Sequence, residues 1–233
     1  MIQAASLSVS YNSQSKVPAL EEVSFSVEAG ERLALIGANG AGKSTLLLSL
    51  VGILPPASGE LRVCGMPPDR KNLSEVRRRA ALMFQNPDDQ LFMPTLEEDI
   101  AFGPRNYGFT EDAIQSRMAA VLGELGISHL KNRLSHKLSG GEKRLAALAG
   151  VLVMEPSLLL LDEPSSFLDP RARRGLIRIL GGLSLTMLIA THDLDLAHRL
   201  CPRVILLNHG RISADGPTEE ILGNETLLEQ NGL

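Results

Sequence analysis

The residues from Gly37 to Ser44 read G-A-N-G-A-G-K-S, and they stand between an apolar run, RLALI, and a run of helical character, TLLLSLVG. Glycines in such a loop let successive backbone N–H groups turn inward, and a loop that feeds directly into a helix N-terminus presents those groups to an anion. The pattern is GxxxxGK[ST] in the strand–loop–helix context that cradles nucleotide phosphates. Lys43 is then placed to reach the β and γ phosphates, and Ser44 to offer its hydroxyl to Mg2+. A glycine-rich turn with an incidental lysine would not need the flanking strand and helix.

Two further stretches extend this chemistry. LLLLDEP is an apolar strand that ends in adjacent carboxylates, Asp162 and Glu163. Neighbouring residues at a strand end point in different directions, so Asp162 can enter the shell of Mg2+ while Glu163 faces an attacking water. LSGGEKRLAALAGVL places Leu145, Leu148, Ala149 and Leu152 on one helical face, behind a capping box formed by Ser139 and Glu142. The box does not explain Gly140 and Gly141 in the first turn, where each glycine costs about 1 kcal/mol against alanine. They make sense if another molecule, an anion by preference, must approach that helix N-terminus closely.

The elements that must position these groups alternate between short apolar runs and helical patterns, which predicts an α/β fold with a largely parallel sheet. Strands are expected at Leu7–Val9, Val23–Val27, Arg32–Ile36, Leu61–Cys64, Ala81–Phe84, Leu158–Leu161, Met187–Ala190 and Val204–Leu207. From Pro94 to Pro156 the pattern is helix alone, with Thr95 and Glu98 as a capping box, Thr110 opening a second helix and Gly126 closing it. About two short helices are expected from Pro217 onward. With 233 residues and 44% apolar content the chain can bury a good core as one compact unit. Its apolar runs are far short of the roughly 20 residues a spanning helix needs, and the start MIQAASLSVS has no secretory pattern, so a cytosolic chain is expected. Cys64 and Cys201 read as buried free thiols. A net charge of -4 gives no general pull toward nucleic acid, and no nucleic-acid partner is expected.

Taken together, these motifs resemble the ABC transporter ATPases, in the family's order and over essentially the whole chain. The resemblance implies a P-loop NTPase core with a mainly parallel sheet, an N-terminal antiparallel β part and an inserted helical subdomain. The chain would be a single ABC ATPase domain, 1–233, with its core at 1–85 and 157–233 and the helical subdomain at about 86–156. The resemblance assigns Gly37–Thr45 to Walker A, with Gly37, Asn39, Gly40, Gly42, Lys43, Ser44 and Thr45 on ATP. Gln85 becomes the Q-loop glutamine at Mg2+, Leu138–Glu142 the signature motif, Leu158–Asp162 Walker B, Ser165–Asp169 the D-loop ending on Asp169, and His192 the switch histidine. Tyr11 falls where the family stacks an aromatic on adenine. Family members work as dimers that sandwich two ATPs, each signature helix capping the γ-phosphate held by the other subunit. A second ATPase subunit, taken as a homodimer partner, is therefore expected. Glu142 stands where glutamine is usual, and it is expected to fold back onto the Ser139 N–H; Phe167 replaces a small residue in the D-loop.

The stretch FQNPDDQLFMPTLEEDIAFGP, from Phe84 to Pro104, holds five carboxylates and no lysine or arginine. It looks like the same segment in ATPases of energy-coupling factor importers, most of all their cobalt and nickel branch, with a biotin or vitamin importer as the alternative cargo class and a soluble non-transport ABC protein as the competitor. In that group the segment meets a coupling helix bearing arginines. Asp88, Asp89, Glu97, Glu98 and Asp99, with no nearby positive charge of their own, are the expected receivers of a transmembrane coupling subunit, which in turn joins a substrate-binding membrane subunit. The ATPase would then sit peripherally on the cytoplasmic face of the membrane. His129, His136, His198 and His209 form no ligand pair, so any cargo site belongs to other subunits.

Overall fold

The computed structural model describes residues 1–11 and 18–233. In chain order the elements are β1 (Ile2–Val9), β2 (Leu20–Val27), β3 (Arg32–Ile36), α1 (Lys43–Leu50), β4 (Ser58–Val63), α2 (Leu73–Arg79) and β5 (Ala80–Met83). Helices α3 (Leu96–Asn106), α4 (Glu111–Glu124) and α5 (Gly140–Leu152) follow, then β6 (Leu158–Asp162), α6 (Pro170–Gly182), β7 (Thr186–Ala190) and α7 (Leu194–Leu200). The last elements are β8 (Arg203–Asn208), β9 (Arg211–Pro217), α8 (Thr218–Leu222) and α9 (Glu225–Gln230).

The chain divides into two compact units. The first comprises Met1–Leu82, Ser157–Glu163 and Ser184–Leu233. It holds an antiparallel sheet in the order β2-β1-β4 and a second sheet in the order β5-β6-β7-β3-β8-β9. β3 pairs in parallel with β7 on one side and β8 on the other, and β6 pairs in parallel with β7. Every residue of β6 and β7 is buried, as expected for strands covered on both faces. Because β3, β6 and β7 run the same way, their carboxyl ends lie side by side, which is where open α/β sheets place ligands. α1 buries Leu46, Leu47 and Leu50 in the same core as Leu33, Leu35, Leu158, Leu160 and Leu188.

One strand escaped the sequence pattern. β9 reads RISADGP, with no fully buried position, and its proline and glycine suggest a turn. It is an antiparallel edge, and Arg203 secures it: the guanidinium donates to both Asp215 oxygens at 2.7 Å and to Glu31 at 2.9 Å. These carboxylates hold the Arg203 pKa above its ordinary value.

The second unit comprises Met83–Pro156 and Pro164–Leu183. Its start lies close to the expected boundary, but it also includes α6, which the sequence reading had placed in the core. The capping boxes predicted for α3 and α5 are both formed, and Thr110 caps α4. Gly126, at φ 70°, follows the end of α4 as expected for a left-handed helix stop. No helix among the described residues is long and apolar enough to cross a membrane. Cys201 is buried, with its thiol pKa pushed up to about 12 by desolvation, while Cys64 is half-buried; both are free.

Candidate functional site

The phosphate loop connects β3 to α1. Gly37 has φ 153°, and a Cβ there would meet the Leu207 carbonyl oxygen at 2.2 Å. Gly42 has φ 108°, and a Cβ there would lie 2.9 Å from the Ala19 carbonyl oxygen and 2.8 Å from the Leu20 side chain. Both positions therefore exclude any other residue by conformation and by space. Asn39 and Gly40 are exposed at the loop's crest. Lys43 is 6% exposed, and its ammonium donates to the Gly37 carbonyl at 2.7 Å and the Ala38 carbonyl at 3.3 Å. Ser44 follows it in the first turn of α1. The Tyr11 hydroxyl shares a 2.9 Å hydrogen bond with the Thr45 hydroxyl, while the residue is 64% exposed. That arrangement anchors the ring at one end and leaves its face open.

The neighbouring strand ends bring in the acids. Asp162 closes β6, and Glu163 continues it by donating its N–H to the Ala190 carbonyl at 2.8 Å. Glu163 has φ 46°, a left-handed conformation that costs a non-glycine residue about 1–3 kcal/mol. This turn aims the Glu163 carboxylate at Lys43, 3.5 Å from the ammonium, and at His192, whose Nδ1 lies 2.8 Å away. The Thr191 hydroxyl and the His192 N–H each donate to the same Glu163 oxygen at 3.3 Å. A carboxylate with 5% of its side chain exposed thus meets a cation, an imidazole, a hydroxyl and an amide. Thr191 is a participant that the sequence reading missed; its place next to His192 was the available signal. His192 itself is 57% exposed on its side chain.

In the second unit, the first turn of α5 is set as the sequence predicted. The Glu142 carboxylate accepts from the Ser139 N–H at 2.7 Å, and the Ser139 hydroxyl accepts from the Glu142 N–H at 3.4 Å. Arg133 lies 3.3 Å from the other Glu142 oxygen. The hydrogen bond from the Ser139 backbone is the main reason that the Glu142 pKa lies below its ordinary value. No described atom lies within 4 Å of a Cβ built on Gly140, and one on Gly141 would make only ordinary contact with Ala172 at 3.5 Å. Among the described residues, nothing demands glycine at Gly140. These residues share a cavity of about 800 Å³ with Phe167, Asp169, Arg171 and Ala172. Asp169 caps α6, accepting from the Arg171 and Ala172 N–H groups at 2.8 Å, and the backbone bonds lower its pKa. Phe167 is 94% exposed at φ 62°.

Comparison with known proteins matches this chain, over residues 20–166, to the family described as ABC transporter. The chain belongs to the ABC transporter family. A Geobacter sulfurreducens protein named as an ABC transporter ATP-binding protein is 50% identical over 210 residues, covering 90% of this chain and 84% of that protein. An energy-coupling factor transporter ATP-binding protein, EcfA, of Methanothermobacter thermautotrophicus is 45% identical over 238 residues, covering 100% of this chain and 76% of the relative. Among solved structures, cbiO1 of Clostridium perfringens, part of the ABC transporter complex cbiONQ, superposes with a TM-score of 0.85 at 36% identity, over 98% of this chain and 93% of that one. The protein is an ABC ATPase, and its substrate is ATP.

The acidic segment of this ABC ATPase is not free of cations. The expectation that its carboxylates have no positive charge nearby does not hold, because folding brings cations from distant positions. Lys143 of α5 lies 2.5 Å from Asp88, and Lys131 lies 3.4 Å from Glu97, which also accepts from Gln115 at 2.8 Å. The Gln115 and Lys131 bonds hold the Glu97 pKa low. Glu98 closes the capping box of α3. Asp99 is a staple: one oxygen accepts from the Phe92 and Met93 N–H groups at 2.9 and 2.8 Å, the other from the Ser135 hydroxyl at 2.7 Å. Asp88, Asp89 and Glu98 are exposed, whereas Glu97 and Asp99 are half-buried. Beside them the Phe92 and Phe102 rings form an edge-on pair, with centroids 4.9 Å apart, and the two residues are 62% and 39% exposed. Sequence reasoning passed over this aromatic pair, whose rings meet only once the chain before α3 is folded back on it.

Proposed function

We propose that this ABC ATPase drives an energy-coupling factor importer, in which hydrolysis at Glu163 resets a dimer closed by ATP. The observation that carries the catalytic half is the convergence of Lys43, His192 and Thr191 on one buried Glu163 carboxylate at the ends of parallel strands. Glu163 accepts the proton of the attacking water, and His192 orients the carboxylate and borders the γ-phosphate. Lys43 exchanges its loop carbonyls for the β and γ phosphate oxygens, and Tyr11 lends its open face to adenine.

No group of three His, Cys, Asp or Glu able to hold a metal ion occurs among the described residues. That suits Mg2+, which keeps waters and binds through one or two protein oxygens plus substrate phosphates. The Ser44 hydroxyl and the Asp162 carboxylate are hard oxygen donors of the required kind and would hold it, and the family resemblance would add the Gln85 amide oxygen. When bound, Mg2+ neutralises charge that develops on the phosphate oxygens.

Ser139, Gly140 and Gly141 serve the γ-phosphate held by a second copy of the chain, with Asp169 adjoining that interface. The open space at the Gly140 Cβ position supports this reading, since no described residue gives a reason for glycine there and the close approach of an outside molecule does. Replacing Gly141 with a bulky residue should leave ATP binding intact and block ATP-dependent closure; crosslinking across the dimer reports it.

The membrane partner is a transmembrane coupling subunit carrying a basic amphipathic helix, with a substrate-binding membrane subunit beyond it, so that the ATPase lies peripherally on the cytoplasmic face. Exposed Asp88, Asp89 and Glu98 around the Phe92–Phe102 pair support this, as charge and apolar surface suited to one helix. Glu97 and Asp99 act by shaping the segment. The cargo is a cobalt or nickel ion, a reading supported by the likeness of the Phe84–Pro104 segment to that branch. Uptake of labelled cobalt, nickel and biotin by cells carrying the chain with its neighbouring membrane genes tests it; biotin uptake alone would move the protein to the vitamin class.

A further inference from the structure

Arg144 belongs to α5, two residues after Glu142, and it is 2% exposed. A buried guanidinium cannot shed its charge, so it persists only where hydrogen bonds compensate for lost hydration. One terminal nitrogen of Arg144 donates to the Gln85 carbonyl at 2.8 Å and the Phe84 carbonyl at 3.4 Å. The other donates to the Ser166 carbonyl at 3.1 Å. One side chain therefore joins three segments that lie far apart in sequence. The Phe84–Gln85 backbone has a second tie to the same helix: Gln90 accepts from the Phe84 N–H at 3.3 Å and donates to the Ala147 carbonyl at 2.7 Å. Only the Arg144 fork adds Ser166.

We propose that Arg144 is a positioning residue that makes Gln85, the Ser165–Ser166 turn and the Gly140–Gly141 helix start move as one body, and so couples the two ATP sites of the dimer. The inference rests on the sandwich reading above, in which Gln85 serves the ATP of its own subunit and Gly140 and Gly141 serve that of the other. A rigid tie between those groups reports the occupancy of one site to its counterpart. The planar fork matters as much as the charge, because a lysine ammonium is a compact point donor and does not reproduce two arms held in fixed geometry.

The test uses the full chain with Glu163→Gln, in which bound ATP persists, and follows dimer formation by sedimentation as ATP is raised. Dimerisation should be sigmoidal with a Hill coefficient approaching ~2, the ceiling for two sites. Adding Arg144→Met should leave the affinity of the monomer for a fluorescent ATP analogue within about twofold, while the Hill coefficient falls toward ~1. Arg144→Lys, which keeps a buried cation and guards against a folding defect, should show the same loss of steepness. Gln90→Ala should keep the steep response, because the Arg144 fork remains. An unchanged slope in the Arg144 variants, or a full rescue by Arg144→Lys, overturns the proposal. Failure of the Glu163→Gln chain itself to dimerise with ATP would instead remove the sandwich reading, and the coupling with it.

Discussion

Two regions of this molecule are rich in carboxylates, and they put them to opposite uses. At the end of β6, Glu163 is buried, held in a left-handed backbone, and turned toward Lys43 and His192. In the segment from Asp88 to Asp99, the acids are half-buried or exposed, and folding brings Asp88, Glu97 and Asp99 to partners from the same unit. The difference lies in what fixes each group. Glu163 is positioned by sheet hydrogen bonds that hold the ends of β6 and β7 in register, whereas Glu97, Glu98 and Asp99 shape a helix start and the chain before it. Adjacent acids in sequence therefore end as a buried carboxylate facing a cation and an imidazole in one case and as scaffolding in the other.

The largest expected effect lies at the buried acid. Glu163→Gln should reduce ATP turnover by about 10²–10⁴-fold, the usual contribution of a positioned base, with ATP affinity retained. Turnover near the wild-type rate in the assembled transporter would erase that contrast. Next comes the staple. Asp99→Ala removes three hydrogen bonds and should lower stability by about 1–3 kcal/mol, measured by urea unfolding, whereas Asp89→Ala should change it by less than about 0.5 kcal/mol. Equal effects would mean that the segment is not divided into scaffold and free surface.

A smaller change is expected from charge reversal. Asp88→Lys with Asp89→Lys should weaken co-purification with the membrane partner, more at low salt than at high salt, since exposed pairs are worth only about 0.2–1 kcal/mol each. Assembly that ignores both substitutions and salt would return these two acids to a solvated surface. The smallest effect concerns the first turn of α5. The Glu142 pKa is depressed in the folded state, so its stabilising contribution is fully present above the unfolded value of about 4.3 and is lost as pH falls through the folded value. Glu142→Gln should therefore lower stability slightly near pH 7, with the difference from the native protein vanishing as pH falls through the folded value, so that urea unfolding across pH shows a flatter acid limb.

The sequence by itself determined the elements whose signals are local. The phosphate loop, the capping boxes at Thr95 and Ser139, and the apolar runs 33–36 of β3 and 158–161 of β6 each carry their information within a few consecutive residues, because backbone conformation and helix-end hydrogen bonds are satisfied close by in the chain. The fold-back of Glu142 onto Ser139 was legible for the same reason. Tertiary structure decided whatever depends on partners distant in sequence. The cations beside Asp88 and Glu97 come from Lys143 and Lys131, β9 is held by Arg203, and α6 joins the helical unit rather than the strands on either side of it in sequence. The guanidinium of Arg144 meets carbonyls at Phe84, Gln85 and Ser166. None of these pairings leaves a mark in local spacing, since Coulomb attraction and hydrogen bonding act through space, and only the packed chain sets those distances.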